Sequence, residues 1–294
     1  MRKILNLVIF SLLIVGLVLF VFFQSRLSRE ELAMAYHRMF GEELRSSEPI
    51  SYPYHGESGT KSLYLNLLKL ALTDSIYDSK YESRTAKQHG NMWPLRALTM
   101  IGLKRLDNIQ FCMEDAIKNN VPGDFIEAGA WRGGATIFMR AVLKANGETT
   151  RKVWVADSFE GLPPPDPKNY PADKEMKLYK EPLAVSEEQV KQNFERFGLL
   201  DSQVIFLKGF FKNSLPKAPI DKLAVLRIDA DLYESTLEAL TYLYPKLSRG
   251  GYVIIDDYNT IDPCHAATDF YRTQNSIQGK ILGIDESGVY WQKS

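Results

Sequence analysis

The sequence predicts an α/β fold for the larger part of the chain: a mostly parallel sheet with helices on both faces, closed by a C-terminal antiparallel hairpin. Three observations lead there. From about residue 108, five short apolar runs are each bounded by turn or charged residues: DFIEAG (124–129), KVWVADS (152–158), QVIFLKG (203–209), KLAVLRIDAD (222–231) and GYVIIDD (251–257). Amphipathic stretches separate them, and such alternation builds parallel strands joined by crossover helices. The segment KILGIDESGVYWQK then carries two strand-like runs around Glu286, Ser287 and Gly288, a hairpin pattern for one edge of the sheet.

Composition agrees and removes several function classes. The 294 residues suffice for one or two globular units, and 45% hydrophobic, 12% aromatic and 24% charged residues exclude disorder and fibrous repeats. Lys plus Arg (36) equals Asp plus Glu (36), and no basic block is present, which argues against a nucleic-acid partner. Cys112 and Cys264 form no Cys-x-x-Cys, and His37, His55, His89 and His265 have no ligand spacing, so neither a disulfide scaffold nor a zinc site is expected.

The elements follow in order. Residues 4–23, ILNLVIFSLLIVGLVLFVFF, contain no charge, and twenty helical residues reach about 30 Å, the thickness of a bilayer's hydrocarbon. The run is longer than a signal-peptide core and FFQSRLS lacks a small-x-small cleavage pattern, so a membrane anchor over 1–26 is expected. Arg2 and Lys3 face Arg26 and Arg29 across it, a near balance that leans to a type II, single-pass orientation. Without residues 1–26, which hold three basic and no acidic side chains, 33 basic residues stand against 36 acidic, a net of minus three. Residues 27–98 read as a helical stem. Leu32, Ala35, Met39 and Leu44 recur at helical spacing over 29–45, a loop covers 46–61, and SLYLNLLKLAL (62–72) is a second helix. The stem can pack on the main domain or supply contacts for a homodimer. The main domain is expected over 99–294.

In open sheets of this kind, ligands bind beyond the carboxyl ends of the strands. The first predicted strand ends in Glu127-Ala128-Gly129-Ala130-Trp131-Arg132-Gly133-Gly134, ahead of an apolar helix from Ala135 to Leu143. The dinucleotide pattern G-x-G-x-x-G is absent, and G-x-x-x-G with Glu127 two residues before it suits a cofactor without a pyrophosphate. An acid there can pair with an ammonium group, which points to S-adenosylmethionine; a bare structural turn is the alternative. The second strand ends in Asp157, able to accept hydrogen bonds from the ribose hydroxyls of an adenosine, or to begin a turn before Ser158 and Gly161. The fourth and fifth strands end in Asp229-Ala230-Asp231 and Asp256-Asp257. Neighbouring strand ends bring Asp229, Asp256 and Asp257 together, where three carboxylates repel unless a cation intervenes, and an all-oxygen cluster suits Mg²⁺. Such an ion can bind a substrate hydroxyl for attack on the sulfonium methyl. Asp231 precedes LYESTLEALTYLYPKL and reads both as a helix N-cap and as a general base. Substituting Asp256 by Ala is expected to remove metal-dependent turnover and leave the fold intact.

Seven blocks now resemble one family: Trp93-Pro94, TMIGLKRLDN (99–108), VPGDFIEAGAWRGGATIFMRAVL (121–143), VADSFEGLPPPD (155–166), LRIDADLYEST (226–236), GGYVIIDDY (250–258) and CHAATDFY (264–271). Together they resemble the TylF/MycF-like family of macrocin and related O-methyltransferases from about residue 75 onward. The resemblance implies a class I, Rossmann-like S-adenosylmethionine-dependent methyltransferase fold and Mg²⁺-dependent methylation of a sugar hydroxyl on a glycosylated small-molecule acceptor. By motif it implies Asp229, Asp256 and Asp257 as metal ligands and Asp231 as the general base. Glu127, Gly129 and Trp131 match the cofactor loop, and Asp157 with Ser158 the ribose-binding turn. Thr99, Met100 and Gly102 match a segment over the cofactor; Gly209 and Phe211 fall on its adenine side. The anchor turns the expected acceptor toward a membrane-associated glycan or glycolipid. The loop from Pro163 to Pro182, with six of the fourteen prolines, is expected near the substrate opening. A non-catalytic membrane-tethered scaffold is the competing reading, disfavoured because Glu127, Asp157, Asp229, Asp231, Asp256 and Asp257 are all intact. Cys112 is expected to be a core thiol, His265 structural, and Tyr242, Tyr244 and Phe270 packing residues.

Overall fold

Val, Ile, Leu and aromatic residues dominate the five apolar runs, and each run forms a strand in the computed structural model of the protein. The structure describes residues 59–77, 79, 82–176 and 180–294; the expected anchor and the 29–45 helix lie outside the described residues. Among the described residues no helix is long and apolar enough to cross a membrane. The strands are β1 (Asp124–Ala128), β2 (Val153–Asp157), β3 (Val204–Lys208), β4 (Leu223–Ile228), β5 (Leu247–Ile255), β6 (Leu282–Gly283) and β7 (Val289–Gln292). They lie in the order β3-β2-β1-β4-β5-β7-β6, with β1 to β5 mutually parallel. The expected hairpin is present: β7 runs antiparallel between β5 and β6, so β6 takes the edge. β5 starts at Leu247, ahead of the expected run, because Leu223 pairs with Leu247 and Val225 already with Tyr252, a bulge in which Gly250 has a φ of +81°.

The helices that cover the sheet are α1 (Thr60–Leu72), α2 (Leu103–Lys118), α3 (Gly134–Ala145), α4 (Glu187–Arg196), α5 (Tyr233–Leu243) and α6 (Asp262–Gln274). Strand alternation divides the core between two faces. Phe125, Val153 and Val225 point into one cluster with Leu65 and Leu72 of α1, Leu106 of α2, Phe138 of α3 and Phe194 of α4. Ile126, Trp154 and Leu226 point into the other with Leu240 of α5 and Tyr271 of α6. Cys112 lies buried in the first cluster, as expected of a core thiol. The helix expected over 62–72 is therefore part of the core, although Leu63 and Leu67 on its outer side are 73% and 60% exposed. Strand order reverses between β1 and β4, and the crevice beyond their carboxyl ends is where this topology binds ligands.

Candidate active site

A cavity of about 730 Å³ opens at that reversal, a size suited to a cofactor-sized ligand. Its wall includes Met100, Gly129, Trp131, Asp157, Ser158 and Phe211, together with Asp229, Asp231, Asp256 and Asp257. The structure thus brings ten of the fourteen singled-out residues to one opening. Thr99, Gly102, Glu127 and Gly209 stand behind the wall rather than in it.

The loop after β1 shows why its sequence is as it is. Gly129 has a φ of +96°, and a Cβ there would come 1.7 Å from the Asp229 carbonyl oxygen, so only glycine lets the β1 and β4 ends approach this closely. Trp131 follows at φ +48°. Asp157 closes the turn from β2: one oxygen accepts from the backbone N–H groups of Ala130 (2.7 Å) and Trp131 (3.1 Å), the other from Phe159 N–H (2.7 Å). Burial raises the Asp157 carboxyl above the usual range and these three bonds oppose the rise. Asp157 therefore organises the glycine loop in addition to facing the cavity. Ser158 Oγ donates to Gly161 O at 2.7 Å and stabilises the next turn.

The 94–102 segment is tied onto the same loop. Arg132 Nη1 donates to the Ala97 carbonyl at 2.8 Å and Gly134 N–H to Leu98 O at 2.9 Å, which directs Met100 into the cavity. Gly102 crosses the backbone at Gln88, whose carbonyl would meet a Cβ at 2.3 Å, so its role is a close chain crossing. Gly209 N–H donates to Asp157 O at 2.9 Å, placing Phe210 and Phe211 against the cavity.

The acidic end centres on a residue that the sequence pattern does not single out. Arg227 of β4 lies in register with Glu127 of β1, on the same face. Its guanidinium pairs with Glu127 Oε1, with Asp256 Oδ1, and with Asp229 Oδ2 at 3.1 Å. Arg105 of α2 takes the second Asp256 oxygen at 2.5 Å and Asp285, ahead of β7, at 2.9 Å. One arginine inside the apolar run LAVLRI was the available signal for Arg227; nothing local marks Arg105 or Asp285. Asp229, Asp256 and Asp257 each bring a carboxylate oxygen within 4.8 Å of the others. Asp257 Oδ2 and Glu127 Oε2 are buried without a hydrogen-bond partner among the described residues. Two guanidinium groups thus face six carboxyls: Glu127, Asp229, Asp231, Asp256, Asp257 and Asp285.

That excess is reflected in the acidities. Burial, then Asp229 and Asp256, pushes Asp231 up to about 7. Burial, then Asp229, Asp256 and Asp231, holds Asp257 well above the carboxylate range. Glu127 is raised to about 8 by burial, against the pull of Arg227. Net positive charge is what this pocket lacks.

Asp231 does not cap α5. It has a φ of +56°, Leu232 occupies the N-cap position, and no side chain of the local sequence caps the helix. Asp173 does so from the proline-rich loop, sixty residues earlier: its carboxylate accepts from Tyr233 N–H (2.7 Å) and Glu234 N–H (3.1 Å). His265 lies outside the cavity wall, its ring stacked on Tyr258 with centroids 4.1 Å apart. Tyr244 packs edge-on against Tyr271, whereas Phe270 is 46% exposed.

With this geometry in hand, known proteins supply the kinship. The family described as macrocin-O-methyltransferase (TylF) matches residues 54–293. Demethyldecarbamoylnovobiocin O-methyltransferase of Streptomyces niveus is 51% identical over 247 residues, 79% of this chain and 94% of that protein. Mycinamicin III 3''-O-methyltransferase of Micromonospora griseorubida is 46% identical over 246 residues, 79% of this chain and 96% of its own length. The solved O-methyltransferase NovP superposes with a TM-score of 0.77 at 51% identity, covering 80% of this chain and 99% of that one. CalS11, a calicheamicin methyltransferase, gives 0.54 at 18% identity over 81% and 94% of the two chains, a likeness of fold alone. The fold is that of class I methyltransferases, and the chain belongs to the macrocin-O-methyltransferase (TylF) family of S-adenosylmethionine-dependent O-methyltransferases.

Proposed function

We propose that this enzyme methylates a sugar hydroxyl on a glycosylated acceptor in a Mg²⁺-dependent reaction at a membrane. One observation carries the reading: the glycine loop with Asp157, and the cluster Asp229, Asp256 and Asp257 with Asp231, open onto the same cavity. The donor set fits a hard divalent cation, since it is all oxygen, has six acids against two guanidinium groups, and leaves Asp257 Oδ2 buried without a hydrogen-bond partner among the described residues. Asp229, Asp256 and Asp257 are the residues to hold it. Among the relatives, an enzyme of Streptomyces olivaceus, 51% identical over 243 residues, is named for 4'-O-methylation of a rhamnosyl-bearing tetracenomycin, which supports a sugar as acceptor.

When bound, S-adenosylmethionine supplies an electrophilic methyl group and the cation supplies positive charge that favours an alkoxide. The protein's own part is orientation and proton removal. Gly129 and Trp131 line the loop side, Asp157 is placed for the ribose hydroxyls, and Phe211 bounds the adenine side. Asp231, held at the acidic end, takes the proton of the acceptor hydroxyl. Arg227 fixes Glu127 and Asp256 in one arrangement, so the two ends of the cavity share a rigid link.

The uncharged residues 4–23 support a single-pass anchor, the near balance of Arg2 and Lys3 against Arg26 and Arg29 leans to type II, and an anchor favours an acceptor that is itself membrane-associated. Labelled S-adenosylmethionine, Mg²⁺ and fractionated glycans, with the novobiocin precursor named by the 51%-identical relative as a reference acceptor, test the chemistry. Sugar-borne label that a chelator abolishes is expected; full turnover with the chelator present refutes the metal. Release of the full chain from membranes by alkaline carbonate refutes the anchor.

A further inference from the structure

We propose that Asp173 is a positioning residue for Asp231, acting from the proline-rich loop through the first turn of α5. The proposal rests on the reading of Asp231 as the base.

Asp231 and Leu232 form the junction between β4 and α5, and the junction is strained. Asp231 sits in the left-handed region at φ +56°, which a non-glycine residue keeps only where its surroundings hold it. Leu232 N–H closes back on Ala230 O at 2.6 Å, so the chain turns within three residues before the helix starts. The N-cap itself is Leu232, which has no side-chain acceptor, so the nearest local carboxylate that could fold over the first helical N–H groups is Asp231. Doing so would remove it from the cavity. Here those N–H groups are satisfied by another residue. Asp173 is fully buried, and its two oxygens divide between Tyr233 N–H and Glu234 N–H at 2.7 and 3.1 Å. A carboxylate at the positive end of an eleven-residue helix is a strong, charge-assisted anchor.

A second contact holds the same pieces together. Tyr170, three residues before Asp173, packs on the Tyr233 ring with centroids 6.2 Å apart. Between them Pro171–Asp173 form a single 3₁₀ turn, closed by Asp173 N–H to Tyr170 O at 3.1 Å. Pro163 and Met176 of the same loop line the cavity, as does Leu162 just before it. Capping from outside the helix therefore leaves Asp231 free to face the cavity and fastens the adjoining wall to it. The two aspartates have separate roles, in which Asp173 satisfies the helix and Asp231 is left for chemistry.

Hydrogen exchange on the full chain needs no acceptor. In Asp173→Ala, amides 231–234 are expected to exchange about tenfold faster, the scale of a lost N-cap. The amides of β4 and the affinity for S-adenosylmethionine should stay within twofold, and Asp173→Asn, which keeps one accepting oxygen, should stay within threefold of wild type at 231–234. Unchanged exchange at 231–234, or equal acceleration throughout β4 and β5, overturns the proposal. A second arm measures turnover with labelled cofactor, Mg²⁺ and demethyldecarbamoylnovobiocin. Asp173→Ala should lower kcat at least tenfold in the wild-type background and less than twofold in Asp231→Asn. An equal loss in both backgrounds overturns the proposal. Full turnover by Asp231→Asn alone refutes the base assignment instead, whatever the exchange arm gives.

Discussion

Asp256 and Asp257 are adjacent, and both face the cavity, yet their removal should move stability in opposite directions. Both oxygens of Asp256 are engaged, one by Arg227 and one by Arg105, whose side chains are 1% and 8% exposed. Charge-assisted hydrogen bonds contribute about 1.5–3 kcal/mol each, and breaking a buried pair costs about 3–5 kcal/mol. Arg227 keeps Glu127 and Asp229, and Arg105 keeps Asp285, so Asp256→Ala should cost about 3 kcal/mol, the lower end of that range. Among the described residues Asp257 Oδ2 has no hydrogen-bond partner, and burial with Asp229, Asp256 and Asp231 outweighs the opposing pull of Arg105. Its folded-state pKa is raised, so the folded protein binds more protons than the unfolded chain above the ordinary carboxylate range, and stability falls as pH rises through that window. Asp257→Asn removes the penalty and should leave stability unchanged or raise it. Urea unfolding of chelator-treated protein at neutral pH, followed by circular dichroism, measures both. A loss below about 1 kcal/mol for Asp256→Ala, or above about 2 kcal/mol for Asp257→Asn, refutes the assignment of the buried charge network. If Mg²⁺ binds as proposed, it should raise the wild-type melting temperature, and Asp257→Asn should abolish that rise, which makes it the cleaner probe of the proposed metal.

Three further outcomes are expected. Gly129→Ala places a methyl 1.7 Å from the Asp229 carbonyl at φ +96°, and calorimetry should show affinity for S-adenosylmethionine falling about 100-fold; a change under threefold refutes the close approach. Leu65→Ala opens the packing of α1 against α3 and should cost about 2–4 kcal/mol in urea; a cost under about 0.5 kcal/mol means that α1 is not part of the core. Glu238 is pushed up from 4.5 to about 7 by burial and then by Glu234, so it lowers stability progressively as pH rises across that interval. Glu238→Gln should flatten that part of the melting-temperature profile, and an unchanged profile contradicts the assignment.

The strands were legible because apolar runs buried on both faces leave a pattern that turn residues punctuate. The bulge in β5 was not: the pairing of Leu223 with Leu247 and Val225 with Tyr252 is decided by the partner strand, and SRGG reads locally as a loop. The acids at the strand ends were legible as a group, since topology alone brings Asp229 beside Asp256 and Asp257. What neutralises them was not. Arg227 meets Glu127 through a register between residues 100 positions apart, and Arg105 reaches Asp256 across 151. The capping rule applied to Asp231 named the right kind of residue at the wrong position, because a propensity scale cannot register a carboxylate arriving from sixty residues earlier.

The position of β7 has a consequence for synthesis. Ser287 Oγ donates to the Asp256 carbonyl at 2.7 Å, Asp285 holds Arg105, and Trp291 is fully buried against the sheet. These residues leave the ribosome about 160 positions after Glu127, roughly ten to thirty seconds later at ordinary elongation rates. β5 itself ends at Ile255, so its edge stays unpaired for only about the last 34 of those positions, about two to seven seconds, and over that time the acids beyond it lack part of their support. The carboxylate cluster is therefore among the last features of the enzyme to mature. A nascent chain stalled before residue 285 would hold every proposed metal ligand and base, with Arg105 and Arg227, but without Asp285, Ser287 and β7, which complete their support.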